Sequence, residues 1–375
     1  MTLHQKLKKA KTQNKLPQIT VYNRIDGPGS SLDLRLFQQS MWELGKIPSN
    51  PLRDKSMKWS IGYPRTIGIA INVGTEITAE PIQSGKLGVE SIDFGFCYIL
   101  DKDAIPPTKE HWLLRIMANF NLDGIKFTLR NLHPELKSAG LGGSAAVTTG
   151  VALLCNRLSR KPFSQHQIIG LASMLEQDLE VSITGTQEQS NAVFGGVRDY
   201  IWFPFGIPGT DNFFGTSIRQ EIMPKKDYKE LEARIDLYFA LQRQSTDVNS
   251  KWYEELRKPS GYKLHSKKCS LAYEYREAIR TKNWKRAVPA ISEYRKIRTK
   301  LCSDYMSSEA WEIEKMCRRN NAVSFPLGGG GGTIMVFSPS PKNLEKMRPR
   351  LSERFRHIDY KILAHGHKFR NISGF

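Results

Sequence analysis

The order of apolar and polar positions predicts a β-rich first half with helices packed among the strands. Residues 19–26 and 66–80 are rich in β-branched residues, and the second half of 66–80 alternates with period two. Residues 87–100 are predicted to form a strand pair and 124–130 a short strand. A helix is predicted at 111–119. We therefore expect several strands to form one sheet before the middle of the chain.

Longer helices are predicted from residue 139 onward. The segment 139–156, AGLGGSAAVTTGVALLCN, is a glycine-rich turn followed by an apolar helix, and Ser164 with Gln167 predicts a capped helix that reaches Glu176. Glycines and prolines at 203–212 predict a boundary between an N-terminal domain, 1–205, and a C-terminal domain, 206–375. Beyond it we expect strands at 234–241, 322–326, 333–337 and 359–364, and helices over 263–319 and 344–356.

Composition indicates a globular protein without a membrane span, but it does not distinguish a nucleic-acid partner from an acidic small molecule. The 375 residues, 39% of them hydrophobic, suffice for roughly two to three units with real cores. No apolar run approaches the ~18 residues of a membrane span, and we interpret the basic first 18 residues as a solvated lead-in rather than a secretory signal. Five irregularly spaced cysteines favour reduced thiols in a cytoplasmic protein. The net charge of +19 suits nucleic acid or an acidic small molecule such as ATP.

Two glycine-rich segments are candidates for ligand contact. In the first, glycines precede Ser144, which we expect as the N-cap or a first-turn residue of its helix. Unpaired N–H groups and a partial positive charge at a helix start favour an anion, and glycines let it approach. Taken alone, this turn is equally consistent with tight packing of a core helix. In the second, five glycines between strands favour a close approach of the backbone to a ligand or another loop.

Carboxylates supply the other candidates. Glu176 ends an apolar helix face and is either a solvated carboxylate or a magnesium ligand, with the Ser144 hydroxyl as a second ligand or as a plain cap. Glu188 lies in the polar segment TGTQEQSN, where it is either a general base or an acidic residue at a helix N-terminus. Asp26 and Asp33 flank a segment, GPGSS, that is typical of a β-turn.

Together these segments resemble the motifs of the galactokinase, homoserine kinase, mevalonate kinase and phosphomevalonate kinase (GHMP) family. Pro134 with GLGGSAA at 140–146 resembles the second motif, and PLGGGGGTIMVF at 326–337 the third. The first motif in the sugar-kinase branch resembles RISFFGGGTD, and RIDGPGSSLD at 24–33 aligns with it without a gap. Glu176 followed by GTQEQSNAVFGG at 185–196 is closest to the heptose-phosphate and fucose kinase branch.

The resemblance implies an α+β, two-domain GHMP-kinase-like fold. Its N-terminal half would be ribosomal protein S5 domain 2-like and its C-terminal half ferredoxin-like. The implied activity is that of an ATP-dependent phosphotransferase of carbohydrate metabolism, which moves the γ-phosphate to a hydroxyl of a sugar, a sugar phosphate or a related polyol. ATP and Mg²⁺ are the implied cofactors. The expected partner is a hydroxylated small molecule, which is favoured over nucleic acid, and no membrane partner is expected. A homodimer is the assembly considered.

The resemblance also assigns roles to individual residues. Glu188 stands where the family usually has a catalytic aspartate, and Arg24 lies at the edge of the substrate site. The implied catalytic residues are Glu188 and Arg24; the substrate-binding residues are Asp33, Gly328, Gly329 and Gly330; the cofactor-binding residues are Gly140, Leu141, Gly142, Gly143, Ser144 and Ala145; and the metal ligands are Ser144 and Glu176.

Departures from the motifs keep alternatives open. Glu188 is one methylene longer than aspartate, and a misplacement of about 1 Å can reduce a rate ~10²-fold. Gly143 replaces the first of two serines, and the first motif has GSS in place of GGG. Two alternatives therefore remain: a kinase for a different alcohol in specialised metabolism, and a catalytically silent GHMP-fold protein that binds a ligand or acts as a regulator.

Overall fold

Helices and strands are mixed throughout the structure, a computed structural model that describes residues 1–42, 51, 53, 58–159, 162–204, 216–240, 248–329 and 332–375. The strands are Gln18–Asp26 (β1), Arg65–Pro81 (β2), Lys86–Ser91 (β3), Phe96–Asp101 (β4), Ile125–Asn131 (β5), Val197–Phe203 (β6), Thr216–Met223 (β7), Ile235–Phe239 (β8), Val323–Pro326 (β9), Thr333–Phe337 (β10), Arg356–Ile358 (β11) and His367–Arg370 (β12). The helices are Leu3–Thr12 (α1), Arg35–Met41 (α2), Trp112–Ala118 (α3), Gly143–Leu158 (α4), Gln165–Asp178 (α5), Gln187–Phe194 (α6), Tyr228–Glu232 (α7), Val248–Leu256 (α8), Pro259–Arg280 (α9), Trp284–Leu301 (α10), Ser308–Arg319 (α11) and Pro341–Ser352 (α12).

Strand β2 organises the first sheet because its 17 residues are long enough to pair with three neighbours. Strand β1 runs antiparallel beside it, β5 pairs with residues 75–81, and β6 pairs with residues 65–69. Strands β3, β4, β7 and β12 complete this sheet of eight, in which β3 and β5 are parallel. A second, antiparallel sheet has the order β11-β8-β10-β9. The α+β fold predicted from the sequence is confirmed.

Two apolar clusters hold these layers together. One packs α3, α4 and α5 against the first sheet, and the other runs from Ile25 and Val73 of that sheet into α8–α12 and the second sheet. Strands β7 and β12 lie in the first sheet although both follow the expected domain boundary. The boundary itself, between residues 205 and 206, lies outside the described residues and stays a prediction. Among the described helices, none has both the length and the apolar character to cross a bilayer.

The N-terminal segment forms a helix, so the expectation of a solvated lead-in was wrong. Thr2 and Gln5 form a capping box at the start of α1, which satisfies backbone donors that would otherwise be unpaired. Leu7 and Ala10 lie three residues apart, and both are buried. Leu7 belongs to the apolar cluster of the first sheet. Two apolar residues among lysines are a weak periodic signal, which explains why the pattern did not predict the helix.

The strand expected at 359–364 was also wrong. Pairing falls on either side of it, in β11 and β12, while Ile362 makes an isolated bridge with Ile71. The backbone N–H of Lys361 donates to the side chain of Asn72, at 2.7 Å, and that of Ile362 donates to the side chain of Glu232, at 2.6 Å. Side-chain acceptors limit backbone pairing with β2 to this one bridge, and apolar alternation does not reveal where a side chain takes the place of a strand carbonyl.

We expect Leu7→Ala to lower the free energy of unfolding by about 2–4 kcal/mol, because it deletes a fully buried side chain and leaves a cavity. Denaturant titration measures this change. Lys8→Ala, on the exposed side of the same helix, should stay within about 0.5 kcal/mol of the parent protein. Equal effects of the two substitutions would show that α1 does not belong to the core.

Candidate active site

One cavity of about 750 Å³ gathers most of the residues singled out in the sequence. Its wall includes the turn before α4, the loop after β1, the segment leading into α6 and the first glycines after β9. The predicted site residues that line it are Arg24, Asp33, Gly140, Leu141, Gly142, Gly143, Ser144, Ala145, Glu188, Gly328 and Gly329. Gly330 lies outside the described residues. Glu176 lies behind the wall, in contact with Ser144.

The turn before α4 has the backbone geometry of an open helix start. Gly140 and Gly142 take left-handed φ values of 76° and 78°, which favour glycine. Gly142 is the N-cap and offers no side chain, so the first-turn N–H groups of α4 are not capped by one. Ser144 is thus a first-turn residue, exposed toward the cavity, and not the cap. The arrangement leaves donors available to an anion.

The second glycine-rich segment packs directly on the first. A Cβ at Gly328 would lie 2.9 Å from the Gly140 oxygen, and a Cβ at Gly332 would lie 2.4 Å from the Ala139 oxygen. The Thr333 N–H also donates to the Ala139 oxygen at 2.8 Å. The expected close approach of the glycine run to another loop is therefore observed, and the loop that it meets is the turn before α4.

Arg24 connects the carboxylates on one side of the cavity. This side chain is 3% exposed, donates to Glu188 and lies 3.6 Å from the Asp26 carboxylate. Burial lowers the pKa of Arg24, but the charges of Asp26 and Glu188 outweigh burial and raise the pKa overall. Glu188 lies in the first turn of α6, as expected of an acidic residue at a helix N-terminus. Its carboxylate also accepts a charge-assisted hydrogen bond from Arg24.

Asp33 reaches the same cavity from the turn after β1. The turn is real, since the Ser30 N–H donates to the Gly27 oxygen, and it places the Asp33 carboxylate at a 4% exposed position. One carboxylate oxygen accepts from the Gln187 N–H at 3.0 Å. Burial raises the pKa of Asp33 to about 7, with a smaller contribution from Glu188, against the lowering effect of the Gln187 hydrogen bond.

Glu176 is fully buried, which excludes the solvated-carboxylate interpretation. Its Oε1 accepts hydrogen bonds from Ser144, at 3.1 Å, and from Thr148, at 2.9 Å, and its Oε2 accepts from Gln189 at 3.0 Å. Burial raises the pKa of Glu176 to about 7, and the Thr148 and Ser144 hydroxyls pull it downward. Burial thus favours the protonated carboxyl, and a cation bound beside it would favour the ionised form.

The Ser144 and Glu176 oxygens fit the requirements of Mg²⁺. The two oxygens lie 3.1 Å apart in a hydrogen bond, so both would be within reach of one cation that replaced the hydroxyl proton between them. One hydroxyl and one carboxylate leave the remaining positions to water and phosphate oxygens, which is the usual distribution for this ion. Ser144 lies in the first turn of α4, and Glu176 reaches it from α5.

Sequence reasoning missed several residues of this wall, above all Arg298. Its guanidinium donates to the Gly328 oxygen at 2.6 Å, and the Gly328 N–H donates to Asp26 at 3.2 Å. The signal was present in α10, where Ile291, Tyr294 and Arg298 share one buried face. A charged residue at a core-facing position of a helix requires partners, and it could have been singled out for that reason. Other missed wall residues are Asn23, Ser30, Ser31, Asn249 and Trp252.

Comparison with known proteins shows which family the N-terminal part of the chain resembles. The GHMP kinases N terminal domain matches residues 110–196, which include the turn before α4, Glu176 and Glu188. Over 231 residues the chain is 25% identical to D-glycero-alpha-D-manno-heptose 7-phosphate kinase of Campylobacter jejuni, covering 60% of this chain and 65% of that relative. The match thus spans slightly less than two thirds of the relative's length.

Solved structures extend the likeness to nearly the whole chain. Galactokinase of Lactococcus lactis, complexed with galactose, has a TM-score of 0.69 at 13% identity, with 98% of this chain and 99% of that one covered. Phosphomevalonate kinase of Streptococcus pneumoniae, in complex with phosphomevalonate and AMPPNP, has a TM-score of 0.66 at 11% identity, covering 92% and 99%. At these identities the likeness concerns the fold. The resemblance indicated by the motifs is thus confirmed, and the chain carries a GHMP kinase N-terminal domain within a GHMP kinase fold.

Proposed function

We propose that this chain is an ATP-dependent kinase that transfers the γ-phosphate to a hydroxyl of a sugar, a sugar phosphate or a related polyol. One observation carries the proposal: the open helix start, the Arg24–Glu188 pair and Asp33 line a single cavity. The heptose-phosphate kinase relative and the galactokinase bound to galactose support a sugar-like acceptor. A cytoplasmic location and a homodimer remain predictions.

The nucleotide end of the cavity is formed by the turn before α4. Residues 140–145 would bind the phosphates through backbone N–H groups, without side chains in the way. Ser144 and Glu176 would hold Mg²⁺, which, when bound, offsets negative charge on the transferring phosphoryl group. Phosphoryl transfer depends mainly on position and charge neutralisation, and this end of the cavity offers both.

The acceptor end is formed by Glu188, Arg24 and Asp33. The acceptor oxygen attacks the γ-phosphorus, and the bond between the γ-phosphorus and the β–γ bridging oxygen breaks, so that ADP leaves. The hydroxyl proton passes to the Glu188 carboxylate. Arg24 holds that carboxylate in place, while Asp33 and the glycines 328–330 predicted from the sequence would contact acceptor hydroxyls. Retention of both a metal-binding pair and an oriented carboxylate favours a kinase over the silent regulator.

The Glu188 side chain is accommodated beside the turn before α4. A Cβ at Gly142 would lie 2.7 Å from the Glu188 Cγ, so this side chain occupies space that only glycine leaves free. From there its carboxylate reaches Arg24. Because Arg24 already holds this carboxylate beside the cavity, we infer that Glu188 can act where the family usually has aspartate.

Purified protein with Mg-ATP should release ADP when a hydroxylated acceptor from a panel of sugars, heptose phosphates and polyols is added. A coupled ADP assay measures the release. We expect Glu188→Gln to abolish it and Glu188→Asp to lower it about 10²-fold, because the shorter carboxylate would fall short of Arg24.

The controls separate the metal site from general damage. Glu176→Gln should increase the Mg²⁺ concentration needed for half-maximal ADP release, whereas Asp178→Asn, an exposed carboxylate change on the same helix, should not. Absence of ADP above background, together with no ATP-dependent rise in Tm, would contradict the proposed kinase.

Gly142→Ala should destabilise the protein by at least about 1–2 kcal/mol, because alanine resists the left-handed conformation and its Cβ meets Glu188. Gly143→Ala is the matched control: the nearest atom to its Cβ is 3.9 Å away and its backbone is helical. Its free energy of unfolding should be unchanged within about 0.5 kcal/mol or slightly higher. Similar losses for both variants, by denaturant titration, would refute this account of the turn.

The raised pKa of Asp33 makes stability depend on pH. Since the folded protein keeps this proton up to about pH 7, while unfolded carboxyls lose theirs near pH 4, the free energy of unfolding should fall as pH rises between those values. We expect the parent protein to lose about 2 kcal/mol relative to Asp33→Asn between pH 5 and 8. Denaturant titrations at both pH values measure the difference, and parallel losses would disprove the assignment.

A further inference from the structure

Two fully buried cations lie behind the acceptor end of the cavity without a carboxylate partner. Lys268 of α9 and Arg298 of α10 are both 0% exposed. Other buried arginines are paired, Arg276 with Asp199 at 3.3 Å and Arg295 with Glu314. Within the part of the chain that the structure describes, neither Lys268 nor Arg298 lies within 4.0 Å of a carboxylate oxygen. Burying an unpaired charge is costly, so this pair needs an explanation.

The contacts of Arg298 are neutral. The guanidinium carbon lies 4.3 Å from the ring centre of Trp252 and 4.1 Å from that of Tyr305. One terminal nitrogen donates to the Ser30 hydroxyl oxygen at 2.7 Å, and the other donates to the Gly328 oxygen. Arg298 thus leaves its positive charge uncompensated while holding two segments of the cavity wall.

The contacts of Lys268 are neutral as well. Its ammonium nitrogen lies 5.2 to 5.3 Å from the ring centres of Phe37, Trp252 and Tyr294. It donates to the Ser31 hydroxyl oxygen at 3.2 Å. Burial, with a smaller contribution from Arg298, lowers the pKa of Lys268 well below its usual range. A negative group in the cavity would favour the protonated form of this lysine and raise its pKa again.

The two cations determine how two neighbouring hydroxyls can be used. Ser30 and Ser31 both line the cavity, and each hydroxyl oxygen already accepts a hydrogen bond from a cation. Each O–H is therefore left to donate elsewhere, and a hydroxyl that accepts from a cation is polarised into a stronger donor. Within the described residues, neither hydroxyl proton has an acceptor. Two such donors side by side match an oxyanion.

The backbone of this loop is held in an unusual conformation at Ser31. Its φ is 71°, in the left-handed region that costs a non-glycine residue about 1–2 kcal/mol. The sugar-kinase motif has glycines where this chain has Ser30 and Ser31. The buried Tyr294 hydroxyl fixes the loop by donating to the Ser30 oxygen at 2.8 Å. Serine in a place that suits glycine indicates that its hydroxyl is used.

The negative groups of the same loop are already engaged. Asp26 accepts from the Gly328 N–H and lies beside Arg24, and Asp33 accepts from the Gln187 N–H. Asp33 also acts on Lys268 electrostatically, with a smaller effect than burial. Asp33 is therefore bonded toward α6, and Asp26 toward Arg24 and the loop after β9, whereas the serine hydroxyls are bonded to α9 and α10.

We propose that the Ser30 and Ser31 hydroxyls bind an oxyanion carried by the acceptor, a phosphate monoester in preference to a carboxylate, with Arg298 and Lys268 as positioning residues behind them. This inference rests on the proposed kinase function and narrows it, because a neutral sugar would leave both donors and both charges without a counterpart. The acceptor would then be supplied by a reaction that forms a phosphorylated polyol, such as an earlier phosphoryl transfer.

The test uses inorganic phosphate and protein saturated with Mg-AMPPNP, so that the nucleotide site is already filled. Phosphate should raise Tm further, more than acetate or chloride at equal ionic strength, and the concentration dependence gives an apparent Kd. Ser31→Ala should weaken that Kd about tenfold, as expected for the loss of one hydrogen bond to a charged group. Lys268→Met should weaken it at least as much.

The control variant is Lys267→Met, which removes a 57% exposed lysine one position away on the same helix. It should leave the apparent phosphate Kd unchanged, and all three variants should keep the Tm rise caused by AMPPNP alone. If Lys268→Met does not fold, Ser31→Ala decides the question.

Each outcome bears on a defined claim. No phosphate effect beyond that of chloride, or one equal in Ser31→Ala and Lys267→Met, would overturn the oxyanion site while leaving the kinase proposal in place. An acetate effect as large as that of phosphate would overturn the preference for a phosphate monoester. If AMPPNP itself fails to raise Tm, the kinase proposal fails, and the phosphate titration of parent protein and Ser31→Ala without nucleotide then decides the oxyanion site by the same tenfold criterion.

Discussion

The buried Arg24 guanidinium is the constraint on which the candidate site depends. It is surrounded by Asp26 of its own strand, Glu188 of α6 and the Gly140 oxygen of the turn before α4. Removing one partner of a buried ion pair leaves an uncompensated charge, which costs about 3–5 kcal/mol. Because Asp26 also accepts from Gly328, four segments distant in sequence are positioned by one connected set of charges.

The glycine-rich motifs combine two functions that were first considered as alternatives. Gly328 and Gly332 are needed because backbone presses on backbone at residues 139 and 140, which is a packing requirement. Gly142 is needed for its left-handed φ and for the Glu188 side chain. The same close packing leaves the helix start of α4 open toward the cavity. A glycine turn that packs tightly is therefore also one that an anion can approach.

The sequence predicts the elements that local interactions determine, and it fails where contacts between residues distant in sequence determine the structure. Local signals worked: the capping box at Ser164 and Gln167 is present, and strands with strong alternation were found. Failures occurred where tertiary contacts decide, as at Ile362, whose N–H donates to a glutamate side chain rather than to a strand. For the site, motif order placed Ser144 and Glu188 in one wall. Arg298 was not singled out, because within its helix only its place on the buried face distinguishes it from the neighbouring basic residues.

The two serines by which this chain departs from the first motif of the sugar kinases are also the residues that contact the C-terminal helices. Glycines at positions 30 and 31 would offer no hydroxyl to Arg298 or Lys268, and both cations would then be buried with aromatic rings and a carbonyl as their main contacts. Each serine hydroxyl therefore supplies a polar contact that its buried cation would otherwise lack, and the two pairs depend on each other. Since Ser31 accepts an unfavourable φ to complete this arrangement, the departure is a coordinated change at the acceptor end of the cavity. The turn before α4 departs from its motif only at Gly143, so under the proposed function specificity is expected to differ from that of the sugar kinases mainly in the acceptor.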